Sequence, residues 1–170
     1  MLIDLVLPTS LETRAGDVTM RRATAGDLDA LMTLLSDDPI SSSRGDIAHV
    51  DDRGAYLAAL EQIVQDAANE LLVVVDGADV PIATMQLTRI PGMARRGSTR
   101  LLVEAVRVNS ALRSSGIGGA MMRWVTDVAA PTLGSSLVQL TSDAARTDAH
   151  RFYERLGFVG SHVGFKYPVV

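Results

Sequence analysis

One succession constrains this chain more than any other. An apolar segment from Arg100 to Val108 leads to the loop Arg113-Ser114-Ser115-Gly116-Ile117-Gly118-Gly119, and an amphipathic stretch follows directly. Ile117, Ala120, Met121, Trp124, Val125 and Val128 recur at helical spacing, and Pro131 and Gly134 close the stripe. A strand therefore feeds a helix through glycines. Glycine lets a backbone approach a ligand closely, while the free amide donors and positive dipole end of the helix favour a phosphate or pyrophosphate. Two common phosphate motifs do not fit. A dinucleotide fingerprint needs glycine where Met121 stands, and a P-loop needs a Gly-Lys-Ser/Thr ending. Taken alone, the loop still admits a second reading as a glycine turn without a ligand.

The remaining pattern predicts an α/β chain, a mixed α+β sheet flanked by helices. Residues 1–17 read as an N-terminal extension, an edge strand or a tail, and 18–170 as a single domain. A short strand is expected over 18–22, then a helix through Leu28, Leu31, Met32 and Leu35. Residues 37–53 are rich in aspartate and serine and read as a mobile loop. Helical spacing returns at Tyr56, Leu57, Leu60, Ile63, Val64 and Ala67. Residues 71–75 read as a buried strand, 82–90 as its hairpin return and 137–141 as a further strand. A last helix carries Ala149, Phe152, Tyr153 and Leu156 on one face, Gly157 caps it, and terminal strands are expected from Phe158 onward.

Composition removes several function classes. With 170 residues and 47% hydrophobic content the chain suits one core. A net charge of -4 argues against nucleic acid as a partner. Lys166 is the only lysine, and the abundance of arginine reads as coding bias, so arginine clusters are discounted. The absence of cysteine excludes disulfides, cysteine zinc sites and a thiol nucleophile. The N-terminus lacks a secretory pattern and no run is long enough to span a membrane, so no membrane partner and a cytoplasmic location are expected. His49, His150 and His162 show no metal-ligand spacing, and there is no Gly-x-Ser-x-Gly turn; no metal is expected. Asp37, Asp38, Asp46, Asp51 and Asp52 read as a solvated acidic loop, or alternatively as a lure for a cationic amine.

A second motif lies downstream, in Arg146-Thr147-Asp148-Ala149-His150-Arg151-Phe152-Tyr153-Glu154-Arg155-Leu156-Gly157-Phe158. Together with the loop it resembles the GNAT superfamily of N-acetyltransferases. The family's Gln/Arg-x-x-Gly-x-Gly/Ala pattern is matched at Arg113, Gly116 and Gly118, and its Ala-x-x-Phe-Tyr-x-x-x-Gly-Phe pattern from Ala149 to Phe158. The resemblance implies the GNAT acyl-CoA N-acyltransferase fold, acetyl-CoA as acyl donor and an amine-bearing acceptor. It also implies that the backbone of Val106, Arg107 and Val108 meets the pantetheine arm and thioester. By the same likeness, residues Arg113, Ser114, Ser115, Gly116, Ile117, Gly118 and Gly119 hold the pyrophosphate, and Tyr153 faces the sulfur as general acid. Where many members carry an asparagine seven positions before the tyrosine, this chain has Arg146, which has no acceptor to offer, so the contact made there differs.

Glu104 is the candidate base. Strand alternation groups it with Leu102, Val106 and Val108, where desolvation would raise its pKa into a useful range. A carboxylate paired with an arginine is the competing reading. The expected reaction is direct acetyl transfer to a primary amine of a small molecule or peptide, without an acyl-enzyme. Transfer of a larger acyl group and a silent acyl-CoA-binding or regulatory module are the alternatives. A homodimer is expected from the apolar N-terminal stretch, the final strands and the family's habit of pairing.

Overall fold

The computed structural model describes residues 1–169. A 3-10 turn (Leu2–Asp4) precedes the hairpin strands β1 (Thr9–Thr13) and β2 (Gly16–Arg22). Helix α1 (Leu28–Ser36), the short α2 (Pro39–Ser42) and α3 (Arg53–Gln65) come next. Strands β3 (Asn69–Val75), β4 (Pro81–Ile90) and β5 (Arg100–Val108) follow, with a tight turn α4 (Ala94–Gly97) before β5. Helix α5 (Ile117–Trp124) widens into a π turn (Val125–Ala129) and ends in α6 (Ala130–Thr132). Pro131 supplies no N–H to the residue four before it, which accounts for a change of hydrogen-bonding register there. Strand β6 (Leu137–Leu140) and helix α7 (Thr147–Arg155) complete the elements.

The six strands lie side by side in chain order; β1 to β5 are antiparallel and β5 pairs with β6 in parallel. Apolar residues on both faces of β3 explain the layering. Leu72 and Val74 join the cluster of Met85, Leu101, Val103 and Met121 beneath α5, while Val73 and Val75 join Leu28, Leu31 and Leu60 beneath α1 and α3. The sheet is thus buried between two helical layers.

The expected mixed sheet flanked by helices is therefore present, and of the two readings of residues 1–17 the edge strand is the one found, as β1, with Leu2, Leu5 and Leu11 entering the core. Two other places differ from the sequence reading. The acidic loop contains α2, because Asp38 caps it by accepting Ser41 N–H at 2.8 Å and Pro39 presets its first turn. The terminal strands expected from Phe158 onward are absent from residues 158–169. Val163, Phe165, Tyr167 and Val169 alternate as a strand would, yet each is at least 79% exposed, and among the described residues no strand pairs with them. Among the described residues no helix is long and apolar enough to cross a membrane.

Candidate acyl-transfer site

The site begins with an irregularity in β5. Thr84 pairs with Arg107 and Gln86 with Glu104, so Ala105 and Val106 together oppose Met85. This is a β-bulge, and Ala105 takes a left-handed backbone there, with φ 50°. Beyond the bulge the alternation is reversed. Val106 and Val108 pack against the same cluster as Leu101 and Val103, and Arg107 turns toward α2. The grouping of Glu104 with Val106 and Val108 is accordingly corrected. Glu104 is exposed, and the apolar surroundings expected for it are not there.

The bulge coincides with a parting of strands. Pairing of β5 with β6 runs from Arg100 opposite Leu137 to Val103 opposite Leu140, and β6 ends there. Residues 104–108 continue along β5 with an open side. The glycine loop lies just past them. A 3-10 turn (Ser110–Leu112) follows Asn109, whose side chain accepts Ala111 N–H at 3.0 Å. Gly116 then starts α5 with φ 98°, and no side chain caps that helix. The first-turn amides are thus left for a ligand or water.

Two glycines have distinct tasks. A Cβ on Gly116 would lie 3.1 Å from the backbone nitrogen of Arg14, in the β1–β2 turn, which donates to Ser115 O at 3.0 Å. A Cβ on Gly118 would meet Phe152 at 3.5 Å and Val108 at 3.6 Å, so only a small residue fits between α5, α7 and the end of β5. Arg113 does not turn into this cradle: its guanidinium donates to Asp37 O at 2.8 Å. Asp37 in turn accepts Ser110 N–H at 2.6 Å. A cleft of about 390 Å³, lined by Thr33, Ser36, Asp37 and Asn109, separates α1 from this connection.

On the other side of the gap stands α7. Tyr153 is half-buried, with edge-on aromatic contacts to Phe152 at 5.1 Å and Phe158 at 5.9 Å between ring centres. Burial pushes its phenol above the usual value of 10.0, against the opposing charges of Arg107 and Arg146. Both guanidiniums are therefore close enough to act on it.

The α1–α3 connection closes over these groups. Arg146 donates to both oxygens of Asp38 at 2.6 and 2.5 Å. Burial works to raise the Asp38 carboxyl, but Arg146, Ser41 N–H and the charge of Arg107 hold it down at about 2. Arg107 donates to Ser41 Oγ at 2.7 Å and to Val106 O at 2.8 Å. Arg44 pairs with Asp143, and His150 Nε2 lies 2.9 Å from Asp143 O. Asp46 accepts the Tyr56 hydroxyl at 2.7 Å, a bond that, with burial, raises that phenol to about 12. Asp37, Asp38 and Asp46 are thus engaged by internal partners, of which only that of Asp38 is a cation, while Asp51 is exposed.

The structure thus brings Val108, Gly118 and Phe152 together and sets Arg107 and Arg146 within charge reach of Tyr153, an arrangement from which the Arg113 guanidinium is turned away toward Asp37, while Glu104 lies exposed before the bulge. Sequence reasoning missed the Arg107 side chain, Asp38 and Ser41 as parts of that arrangement. Asp38-Pro39 was a readable helix-start signal; no local signal announced the bulge. Among the described residues no group of three or more His, Asp or Glu is arranged to hold a metal ion.

Comparison with known proteins agrees with this geometry. The family model described as acetyltransferase (GNAT) family matches residues 28–158. No curated protein matches the chain. A solved structure described as a transcriptional regulator from Bacillus halodurans C-125 is 38% identical, with TM-score 0.84, covering 89% of this chain and 99% of that one. An acetyltransferase from Trypanosoma brucei, at 21% identity and TM-score 0.70, covers 90% of this chain and 100% of its own. Glucosamine-6-phosphate N-acetyltransferase from Arabidopsis thaliana, at 16% identity and TM-score 0.71, covers 89% and 97%. The last two share the fold.

Proposed function

Since the chain belongs to the GNAT acetyltransferase family, we propose that it transfers the acetyl group of acetyl-CoA directly to a primary amine. The observation that carries this reading is the coincidence of three features: the β5 bulge, the parting of β5 from β6, and the uncapped, glycine-led start of α5. In this reading the amides of Gly116, Ile117, Gly118 and Gly119, with Arg113, Ser114 and Ser115, take the pyrophosphate. Residues Val106, Arg107 and Val108 present backbone groups to the pantetheine and the thioester carbonyl.

A neutral amine attacks that carbonyl. The new C–N bond forms, the C–S bond breaks, and the donor's sulfur leaves as thiolate. Tyr153 gives its hydroxyl proton to the sulfur, Glu104 passes the amine's surplus proton to water, and water returns a proton to the Tyr153 oxygen, which closes the cycle. The test is thiol release with acetyl-CoA and a panel of primary amines, with product mass to verify the acetylated amine. Thiol release without an acetylated product would sink the reading.

The likeness to a protein described as a transcriptional regulator favours one second reading, an acyl-CoA-binding regulatory module without turnover. Stabilisation by acetyl-CoA with no thiol release to any amine would select it. A longer acyl donor is tested in the same assay by exchanging the thioester. Pairing of two copies is proposed on the exposed, strand-like tail at Val163, Phe165, Tyr167 and Val169. Light scattering at micromolar concentration, with and without residues 158–170, decides it.

A further inference from the structure

Arg107 is an arginine in a strand of apolar neighbours, and burial lowers its pKa with the like charge of Arg146 adding to that effect. Its donors find only neutral oxygens, Val106 O and Ser41 Oγ, while its Nε is shut off from solvent and has no acceptor. A guanidinium so placed is costly unless an anion completes it. The nearby carboxylates are committed elsewhere: Asp38 to Arg146, Asp46 to the Tyr56 hydroxyl and Asp143 to Arg44. Asp38 and Asp46 act on Arg107 only by charge at a distance.

The two arginines converge. Ser41 Oγ lies 2.7 Å from Arg107 Nη2 and 3.4 Å from Arg146 Nη2, so a single oxygen sits between both guanidiniums. That oxygen belongs to α2, a four-residue helix whose ties to β5 and α7 are hydrogen bonds and ion pairs. Such ties can be exchanged for others of the same kind. Arg107 also adjoins Val106 and Val108, the backbone assigned above to the thioester, and its charge reaches Tyr153.

We propose that Arg107 and Arg146 together receive an anionic oxygen group of the acceptor, which takes the place held by Ser41 Oγ. The proposal rests on the acyl-transfer reading and narrows its substrate: a small amine carrying a carboxylate or phosphate close to the reactive nitrogen. Proximity follows from the placement of Arg107 next to the thioester strand. Paired guanidiniums suit either anion, since each offers a fork of donors.

The test uses matched primary amines with acetyl-CoA: amino acids against their carboxamides, and amino-alcohol phosphates against the free alcohols. The expected result is a kcat/KM for the anionic member roughly ten- to a hundredfold above its neutral counterpart, the worth of a charge-assisted hydrogen bond. Arg107→Met should collapse that ratio toward one, and Arg107→Lys should retain part of it. Whichever series wins identifies the anion. Equal or better turnover of the neutral members by the wild-type protein overturns the proposal without reference to any variant.

If no amine is acetylated, the acyl-transfer reading fails while the anion site is still decided by melting of the coenzyme A-loaded protein. Stabilisation by millimolar anionic members, not by neutral ones, and its loss in Arg107→Met upholds the site. No shift with any anionic member refutes it.

Discussion

Arg146 grips the Asp38 carboxylate with both terminal guanidinium nitrogens, joining residues 108 positions apart in the chain. The pair fastens the start of α2 to the start of α7 across the gap between the parted strands. Replacing Asp38 with alanine leaves a half-buried guanidinium without its carboxylate and removes the α2 cap, so stability should fall by about 2 kcal/mol. The Asp38 carboxyl lies below its ordinary value, so its contribution is present above that value. It is lost as pH falls from 3.8 through about 2. Denaturant titrations over that range should show a dependence in the wild-type protein that Asp38→Asn weakens.

Tyr153→Phe separates an acid from a filler of space. Removing only the hydroxyl should leave the fold and acetyl-CoA binding in place and lower kcat by roughly a hundredfold. Near-normal turnover where chemistry limits the rate returns Tyr153 to packing. Burial raises its phenol above 10.0, so the proton is retained and no alkaline limb from this group should appear below that pH. Because burial disfavours the phenolate in the folded state, this group leaves stability unchanged below 10.0 and lowers it as pH rises from there through the folded value.

The glycine loop makes two different demands. Gly116→Ala forces a side chain into a φ of 98° and against the Arg14 backbone, so about 1–2 kcal/mol of stability should be lost. Gly118→Ala finds ordinary contact distance, whereas Gly118→Leu drives further atoms into Phe152 and Val108. Acetyl-CoA should raise the melting temperature of the wild-type protein but not of Gly118→Leu; equal shifts would remove the loop from the cofactor site.

Glu104→Gln tests the exposed carboxylate. If it relays the amine proton, kcat/KM should fall by roughly tenfold or more near neutral pH, with acetyl-CoA affinity kept. An unchanged pH–rate profile leaves proton removal to water.

What was legible in the sequence followed from local rules. The strand of residues 100–108, the loop opening α5 at Gly116 and the aromatic face of α7 were readable because periodicity and glycine placement express them directly. Helix α2 was obscured by a serine- and aspartate-rich composition, although its cap pair stood in plain order. The Arg107 site was not readable at all. Strand alternation is a rule of strict parity, and the residue that breaks it, Ala105, carries no side-chain signal for a left-handed backbone. The partners of Arg107 and Arg146 lie far off in the chain, where spacing says nothing.

That alanine acts as a phase shift in the strand. Flattening the bulge with that residue kept would let plain alternation run on, turning Arg107 toward the apolar layer with Leu101 and Val103 and sending Val106 and Val108 to the opposite face. The irregular pairing at Ala105 is therefore under tighter constraint than the identity of most residues of β5: a conservative exchange within the strand is a local matter, whereas a regular ladder through the same nine residues would place a cation in the core and empty the gap of its charge.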